Sequence, residues 1–336
     1  MAERISASDY DSIRLINQVL TLYYVHELTQ AEVGQRLGLS TTKVNRLLQQ
    51  AREQGMVEIT IRTPFQYLFD LEARLKASFD ISDAVVIPQI AEQTNAMVHT
   101  LGRAGANYLL GRLQDGDVVA IGGGTAVHAV VQALETRSSH DVKVVPCMGA
   151  VQGRVTTDVN YLATQLAARM GGPARGSAGG EAYQLHAPAF VDTEKQREML
   201  LSMGPIKEIL DIARQATIAL LGVGTVDYQT SRFVQFTALS AEDMKWIAES
   251  RGGVGEIAAR IYDIKGQPCA EEYANRTVGL SLQELRKIPF VIGVAAAAVK
   301  TRPIYGALRG GYLDALITDE AAARGVLELS EHDSRE

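Results

Sequence analysis

The chain has 336 residues, more than one hydrophobic core usually supports, so at least two folding units are expected. Its 33 Lys and Arg stand against 39 Asp and Glu, a net charge of −6; this argues against a protein that coats nucleic acid over its whole surface, but not against one small, locally basic module. Cys147 and Cys269 lie far apart and outside any CxxC or Cys/His cluster, which argues against a disulfide scaffold or a metal site and fits a reducing compartment.

The first residues, MAERISASDYD, include early acids and no apolar stretch, and no uncharged apolar run approaches bilayer length. A cytoplasmic protein with no membrane partner is expected. From about Ser8 the pattern is helical, with Ile13, Ile16, Leu20 and Tyr23 at three- and four-residue spacing on one amphipathic helix. Thr29-Gln-Ala-Glu32 reads as a capping box opening a second, short helix. Gly38 ends that helix and Ser40 caps a third, which turns Val44, Leu47, Leu48 and Ala51 inward. Gly55 closes the third helix, and Val57, Ile59 and Ile61 alternate as a short strand should.

The segment TQAEVGQRLGLSTTKVNRLL (29–48) therefore reads as a helix-turn-helix. Val33, Leu37, Leu39, Val44 and Leu48 supply its small core, and Gly34 permits close helix contact at the expense of about 1 kcal/mol in helix propensity. The third helix offers Thr41, Thr42, Lys43, Asn45, Arg46 and Gln49 outward. Asn and Gln pair with adenine edges, Arg with guanine, and Thr with phosphates or thymine methyls, so double-stranded DNA is the expected partner. Arg36, Lys43, Arg46 and Arg52 outnumber Glu32 and Glu53, which makes this stretch basic within an acidic chain.

Residues 63–82 carry Leu68, Leu71, Leu75 and Phe79 on one side of a helix, expected as a connector that also pairs subunits. From Ala84 the texture changes to short apolar runs at 85–88, 118–121, 142–146, 218–223, 290–294 and 315–318, separated by helical segments. That alternation implies a mostly parallel, doubly wound sheet covered on both faces. The expected division is 1–62 for an all-α, winged-type helix-turn-helix, 63–82 for the connector and 83–336 for an α/β domain.

Three strands of that domain run into glycine-bearing loops. Val118–Thr125 (VVAIGGGT) places Gly122, Gly123, Gly124 and Thr125 before a helix start, where a phosphate or polyol edge finds unpaired N–H groups. Gly224 and Thr225 follow a second strand, and Met148 and Gly149 a third. In an open parallel sheet such loops converge at the strands' carboxyl ends. Glu256 can bring a carboxylate for sugar hydroxyls, and Lys300 a positive charge for an anion. No catalytic constellation forms around His99, His128, His140 or His186, so a sugar-phosphate isomerase or deaminase is the second reading and an enzyme is not expected. Gly122–Gly124 lacks GxGxxG spacing, which disfavours a dinucleotide cofactor, and none is expected.

These residues resemble the SorC family of sugar-responsive transcriptional regulators, sometimes grouped with DeoR-type regulators, along essentially the whole chain. The resemblance rests on LTQAEVGQRLGLSTTKVNRLLQQAREQGMVEI (28–59), IGGGTAVHAV (121–130), VVPCMGAV (144–151), LLGVGT (220–225), GGVGEIAARIYDIKGQP (252–268) and Lys300 with ALRGGYLDALITDEAAA (307–323). It implies an effector domain similar to sugar-phosphate isomerases and deaminases, and homodimers or homotetramers on operator DNA that answer to sugars, polyols or sugar phosphates. Carried over, the anion loop falls on Gly122–Thr125, a second loop on Met148 and Gly149, the acidic contact on Glu256 and the pocket lysine on Lys300. Asp158 and Asn160 fall where polar pocket residues are expected. The chain departs from the family at Met148, where some members carry Arg to hold a phosphate, and at Ala296-Ala297, where Gly-Gly is usual; the first disfavours a ligand with two phosphates.

Overall fold

The structure, a computed structural model, describes residues 7–57, 63–89, 94–135, 140–151, 155–171, 180–227, 229, 231 and 239–333. The chain divides into two compact units, one ending at Pro64 and the other starting at Phe65.

The smaller unit comprises α1 (Ala7–Leu20), a π-helical turn (Thr21–Val25), α2 (Gln30–Leu37) and α3 (Thr41–Glu53). Its core joins Ile16 and Val19 of α1 to Val33 of α2 and to Val44, Leu47, Leu48 and Ala51 of α3. Ile13, expected inward, is 44% exposed. The inward line of α1 runs through Ile16 and Val19 instead, and the wider π turn changes the phase before Tyr23 is reached. The strand expected at Val57, Ile59 and Ile61, on which the winged form rests, falls largely on 58–62, outside the described residues.

The larger unit opens with α4 (Gln66–Phe79). This helix is not a free connector: Leu68, Leu71 and Leu75 are buried in the main core, and Glu72 accepts a 2.8 Å hydrogen bond from the Val86 N–H. The apolar stripe read from the sequence as a pairing face is thus used within the unit, which takes in both the stretch expected as connector and the α/β domain. There follow β1 (Asp83–Ile87), α5 (Thr94–Arg112), β2 (Val118–Ile121), α6 (Thr125–Ala133), β3 (Lys143–Pro146), α7 (Val159–Arg169) and β4 (Glu181–Ala182). Next come α8 (Glu194–Ser202), α9 (Gly204–Arg214), β5 (Ile218–Gly222), β6 (Gly224–Thr225), α10 (Ala241–Ser250), β7 (Gly253–Ile257) and β8 (Arg260–Asp263). The chain closes with α11 (Glu271–Ala274), α12 (Leu282–Leu285), β9 (Phe290–Val294), α13 (Thr301–Arg309), β10 (Ala315–Asp319) and α14 (Glu320–Asp333).

Among the described residues seven strands form one sheet in the order β1-β10-β9-β5-β2-β3-β4, with every pairing in it parallel. All five residues of β9 and of β10 are buried, as expected of strands covered on both faces. From β2 the chain steps one way to β3 and β4, then returns to place β5 on the other flank of β2. That reversal opens a crevice beyond the carboxyl ends of β2 and β5, the position where open α/β sheets bind ligands. A second, antiparallel sheet, β6-β7-β8, follows directly from β5 and carries the Gly253–Glu256 stretch in its middle strand.

Candidate DNA-reading and effector sites

The turn between α2 and α3 is built from local chemistry. The Thr29 hydroxyl accepts from the Glu32 N–H at 3.3 Å while the Glu32 carboxylate accepts from the Thr29 N–H at 2.8 Å, closing the capping box. The Thr29 contacts hold the Glu32 carboxyl below its usual pKa. Gly38 ends α2 in the left-handed region at φ 67°, and the Ser40 hydroxyl accepts from the Lys43 N–H to start α3. Gly34 is a steric necessity: a methyl there would sit 2.6 Å from the Leu39 carbonyl oxygen. The result is a rigid corner from which Thr41, Thr42, Asn45, Arg46 and Gln49 are exposed and Lys43 is half-buried. Residues 42, 45, 46 and 49 share one face at helical spacing. Gln49 also donates to Glu53 at 2.9 Å.

In the larger unit a cavity of about 310 Å³ opens at the sheet's topological switch point. That volume suits a small sugar or polyol. Gly122, Gly123, Gly124 and Thr125 line it from the end of β2, and Gly224 and Thr225 from the end of β5. Met148 lines it beyond β3, Glu256 from β7 and Lys300 beyond β9. The two glycine loops lie side by side because β2 and β5 pair, with the Gly122 N–H donating to the Leu220 carbonyl at 3.0 Å. No side chain caps the start of α6 at Gly124, so its first N–H groups face the crevice without a local acceptor.

Glu256 reaches this cavity because Gly224, opposite it in the β6–β7 pair, has no side chain; a methyl there would overlap the Glu256 carboxylate. The carboxylate accepts a 3.0 Å hydrogen bond from the Ala259 N–H. Burial raises the Glu256 pKa, and the neighbouring Lys300 charge and the Ala259 N–H only partly offset that rise. Ala258 and Ala259 form the two-residue loop between β7 and β8, both with positive φ (49° and 63°) where glycine or asparagine is usual. Ala297, three residues before Lys300, sits at φ 88° and ψ 147°, a region populated almost wholly by glycine. The usual Gly-Gly is absent, yet the backbone still turns; Asp319 holds the Ala297 N–H at 2.9 Å and the Lys300 N–H holds the Ala297 carbonyl at 2.8 Å.

Three expected pocket residues are placed elsewhere. The Asp158 carboxylate caps α7, accepting from the Asn160 and Tyr161 N–H groups, and its second oxygen accepts from the Val151 N–H at 3.1 Å. It is absent from the cavity lining. Gly149 is also absent from the lining; it makes room for the Pro188 carbonyl, which a methyl would overlap. Asn160 is structural too, exchanging hydrogen bonds with the Leu185 backbone in both directions. Conversely, the lining includes Met97, Val98 and Leu101 of α5, and Val151, Phe190 and Ser231, which sequence reading missed. The apolar ones are indistinguishable from core residues in the sequence. His128 lies on α6 away from the cavity lining, its pKa lowered by burial and by Arg169.

Residues 63–328 match the family described as "Putative sugar-binding domain", and residues 17–54 match Sigma-70, region 4. The Deoxyribonucleoside regulator of Bacillus subtilis (strain 168) is 29% identical over 324 residues, covering 95% of this chain and 99% of that protein. The erythritol catabolism regulatory protein EryD of Brucella abortus (strain 2308) is 29% identical over 308 residues, covering 91% and 94%. The crystal structure of the full-length sorbitol operon regulator SorC from Klebsiella pneumoniae aligns with a TM-score of 0.71 at 30% identity, over 94% of this chain and 99% of that one. Among the described residues no helix is long and apolar enough to cross a membrane. With its helix-turn-helix, its parallel sheet and these likenesses over nearly its whole length, the chain belongs to the SorC family of sugar-binding transcriptional regulators.

Proposed function

We propose that α3 reads operator DNA in the major groove and that a small sugar, polyol or sugar phosphate in the switch-point cavity changes the strength of that reading. The observation that carries this is the meeting of the two glycine loops, Glu256 and Lys300 at one cavity, in a chain that also holds a basic helix-turn-helix. Thr41, Thr42, Lys43, Asn45, Arg46 and Gln49 contact the duplex, with Asn45, Arg46 and Gln49 placed for base edges. Gly122–Thr125 and Lys300 take an oxyanion or hydroxyl cluster, while Glu256 accepts hydroxyls.

A homodimer or homotetramer presents two or more copies of α3 to successive half-sites, and the ligand favours one arrangement of them. Cavity and operator are then coupled reciprocally, as linkage requires. The cavity is read as binding its ligand without turning it over, a reading that rests on the relatives being named as regulators. The kinship with proteins named as regulators supports a cytoplasmic location as well.

The test is a thermal-shift screen of the full chain against sorbitol, erythritol, deoxyribose and their phosphates, followed by promoter-fragment binding with each compound that shifts the melting temperature. Lys300→Ala is expected to keep operator affinity and lose the ligand response. A normal response in Lys300→Ala removes that residue from the site. Consumption of a compound during the assay overturns the non-catalytic reading.

A further inference from the structure

The cavity lining changes character along the sheet. Crossing from β9 through β5 and β2 to β3 covers three strand intervals, roughly 14 Å at the usual spacing. The only two charged side chains among the described lining residues, Lys300 and Glu256, stand at the β9–β5 end. Thr225, Thr125 and the uncapped start of α6 follow in the middle. Beyond β3 the described lining residues are Met148, Val151, Ala189 and Phe190, all apolar.

Backbone N–H donors at that far end are engaged as well. The Gly149 N–H donates to the Val278 carbonyl, the Ala150 N–H to the Ala187 carbonyl, and the Val151 N–H to the Asp158 carboxylate. The Ala189 N–H is likewise taken, by the Ala150 carbonyl. Thr157, a polar lining residue, lies against the glycine loop, its carbonyl accepting from the Gly124 N–H at 3.1 Å. A ligand hydroxyl placed beside Met148 and Val151 would give up its water and find these donors already engaged, whereas a methyl or methylene there only gains burial.

We propose that the effector is two-ended: an oxygen-rich head lying across Lys300, Glu256, Thr225 and the α6 start, and a deoxygenated carbon end seated on Met148, Val151 and Phe190. This rests on the effector reading above and narrows it to deoxy or methyl-terminated sugars and polyols. Met148 and Val151 are then the residues that set specificity at the carbon end.

The experiment uses the full chain and pairs of probes differing by one terminal oxygen: sorbitol and 1-deoxysorbitol, erythritol and 1-deoxyerythritol, each with and without a phosphate at the opposite end. Calorimetry is expected to show the deoxy partner binding about tenfold or more tightly, the size of discrimination an apolar pocket exerts against an added hydroxyl. Val151→Thr and Met148→Gln change polarity at nearly constant volume, so each is expected to shrink or reverse that ratio. Val151 is half-buried, which keeps one variant informative should the buried Met148→Gln fail to fold. Equal or tighter binding of the hydroxyl-ended partner, with a ratio unmoved by Val151→Thr, overturns the inference and leaves the effector reading standing. Binding of no probe at all removes both.

Discussion

The two sites differ in how the chain assembles them. In the small unit, the turn, both caps and the outward face lie within 29–53, and each feature is satisfied by residues three or four positions away. In the large unit, the cavity draws on residues from Met97 to Lys300, brought together only by the strand order. A site made of local contacts announces itself through spacing. A site made by topology announces only those parts, such as glycines before a helix, whose backbone needs are special.

The sharpest way to break this contrast is Gly34→Ala. Helix propensity alone forecasts a gain of about 1 kcal/mol. The Leu39 carbonyl, 2.6 Å from the added methyl, forecasts instead a loss of about 1–3 kcal/mol as an overpacking strain, with operator binding lost alongside. Melting of the full chain, followed by a promoter-fragment titration, separates the two. A smaller loss, about 1 kcal/mol, is expected for Ser40→Ala, since the Lys43 N–H would lose its cap.

In the large unit the sign reverses. Ala258, Ala259 and Ala297 all line the cavity at positive φ, and glycine would remove the clash between Cβ and backbone. After the extra chain freedom of glycine is subtracted, each Ala→Gly change is expected to stabilise by about 0.5–1 kcal/mol in a denaturant titration. A loss at all three would mean that these turns are not strained. The most modest effect concerns pH. Burial raises the Glu256 pKa, so the folded state holds this proton more tightly than the unfolded chain. Its contribution to stability is therefore full at low pH and is lost as pH rises from the unfolded value through the folded one. Glu256→Gln is expected to gain on the natural protein between pH 4 and pH 7; a constant difference in melting temperature across that range would contradict the burial argument.

The same contrast explains what the sequence made legible. Thr29, Glu32, Gly38 and Ser40 were readable because a cap or a left-handed turn demands particular residue types at fixed offsets. The parallel sheet was readable from its continuous apolar runs. Asp158 misled because one carboxylate serves equally to cap a helix or to bind a hydroxyl, and only the α7 geometry decides. Ile13 misled because spacing from Ile16 does not say whether anything packs over the first turns of α1, where it stands exposed. Residues 63–82 read as a connector because an apolar helical stripe does not say whether its partner is a neighbouring chain or its own β1 and α14. Met97, Val98 and Leu101 left no trace at all, because a cavity wall and a core contact ask the same of a side chain.

The central claim is that one exposed helix face grips DNA under the control of a cavity in the other unit. It is tested most directly by selecting genomic duplex fragments with the full chain and with Arg46→Ala, each in the presence and absence of a compound that raises its melting temperature. The account predicts that the natural protein enriches a defined sequence whose yield changes with the compound, while Arg46→Ala keeps the melting shift and enriches nothing. Enrichment of the same sequence by both proteins, indifferent to the compound, would contradict it.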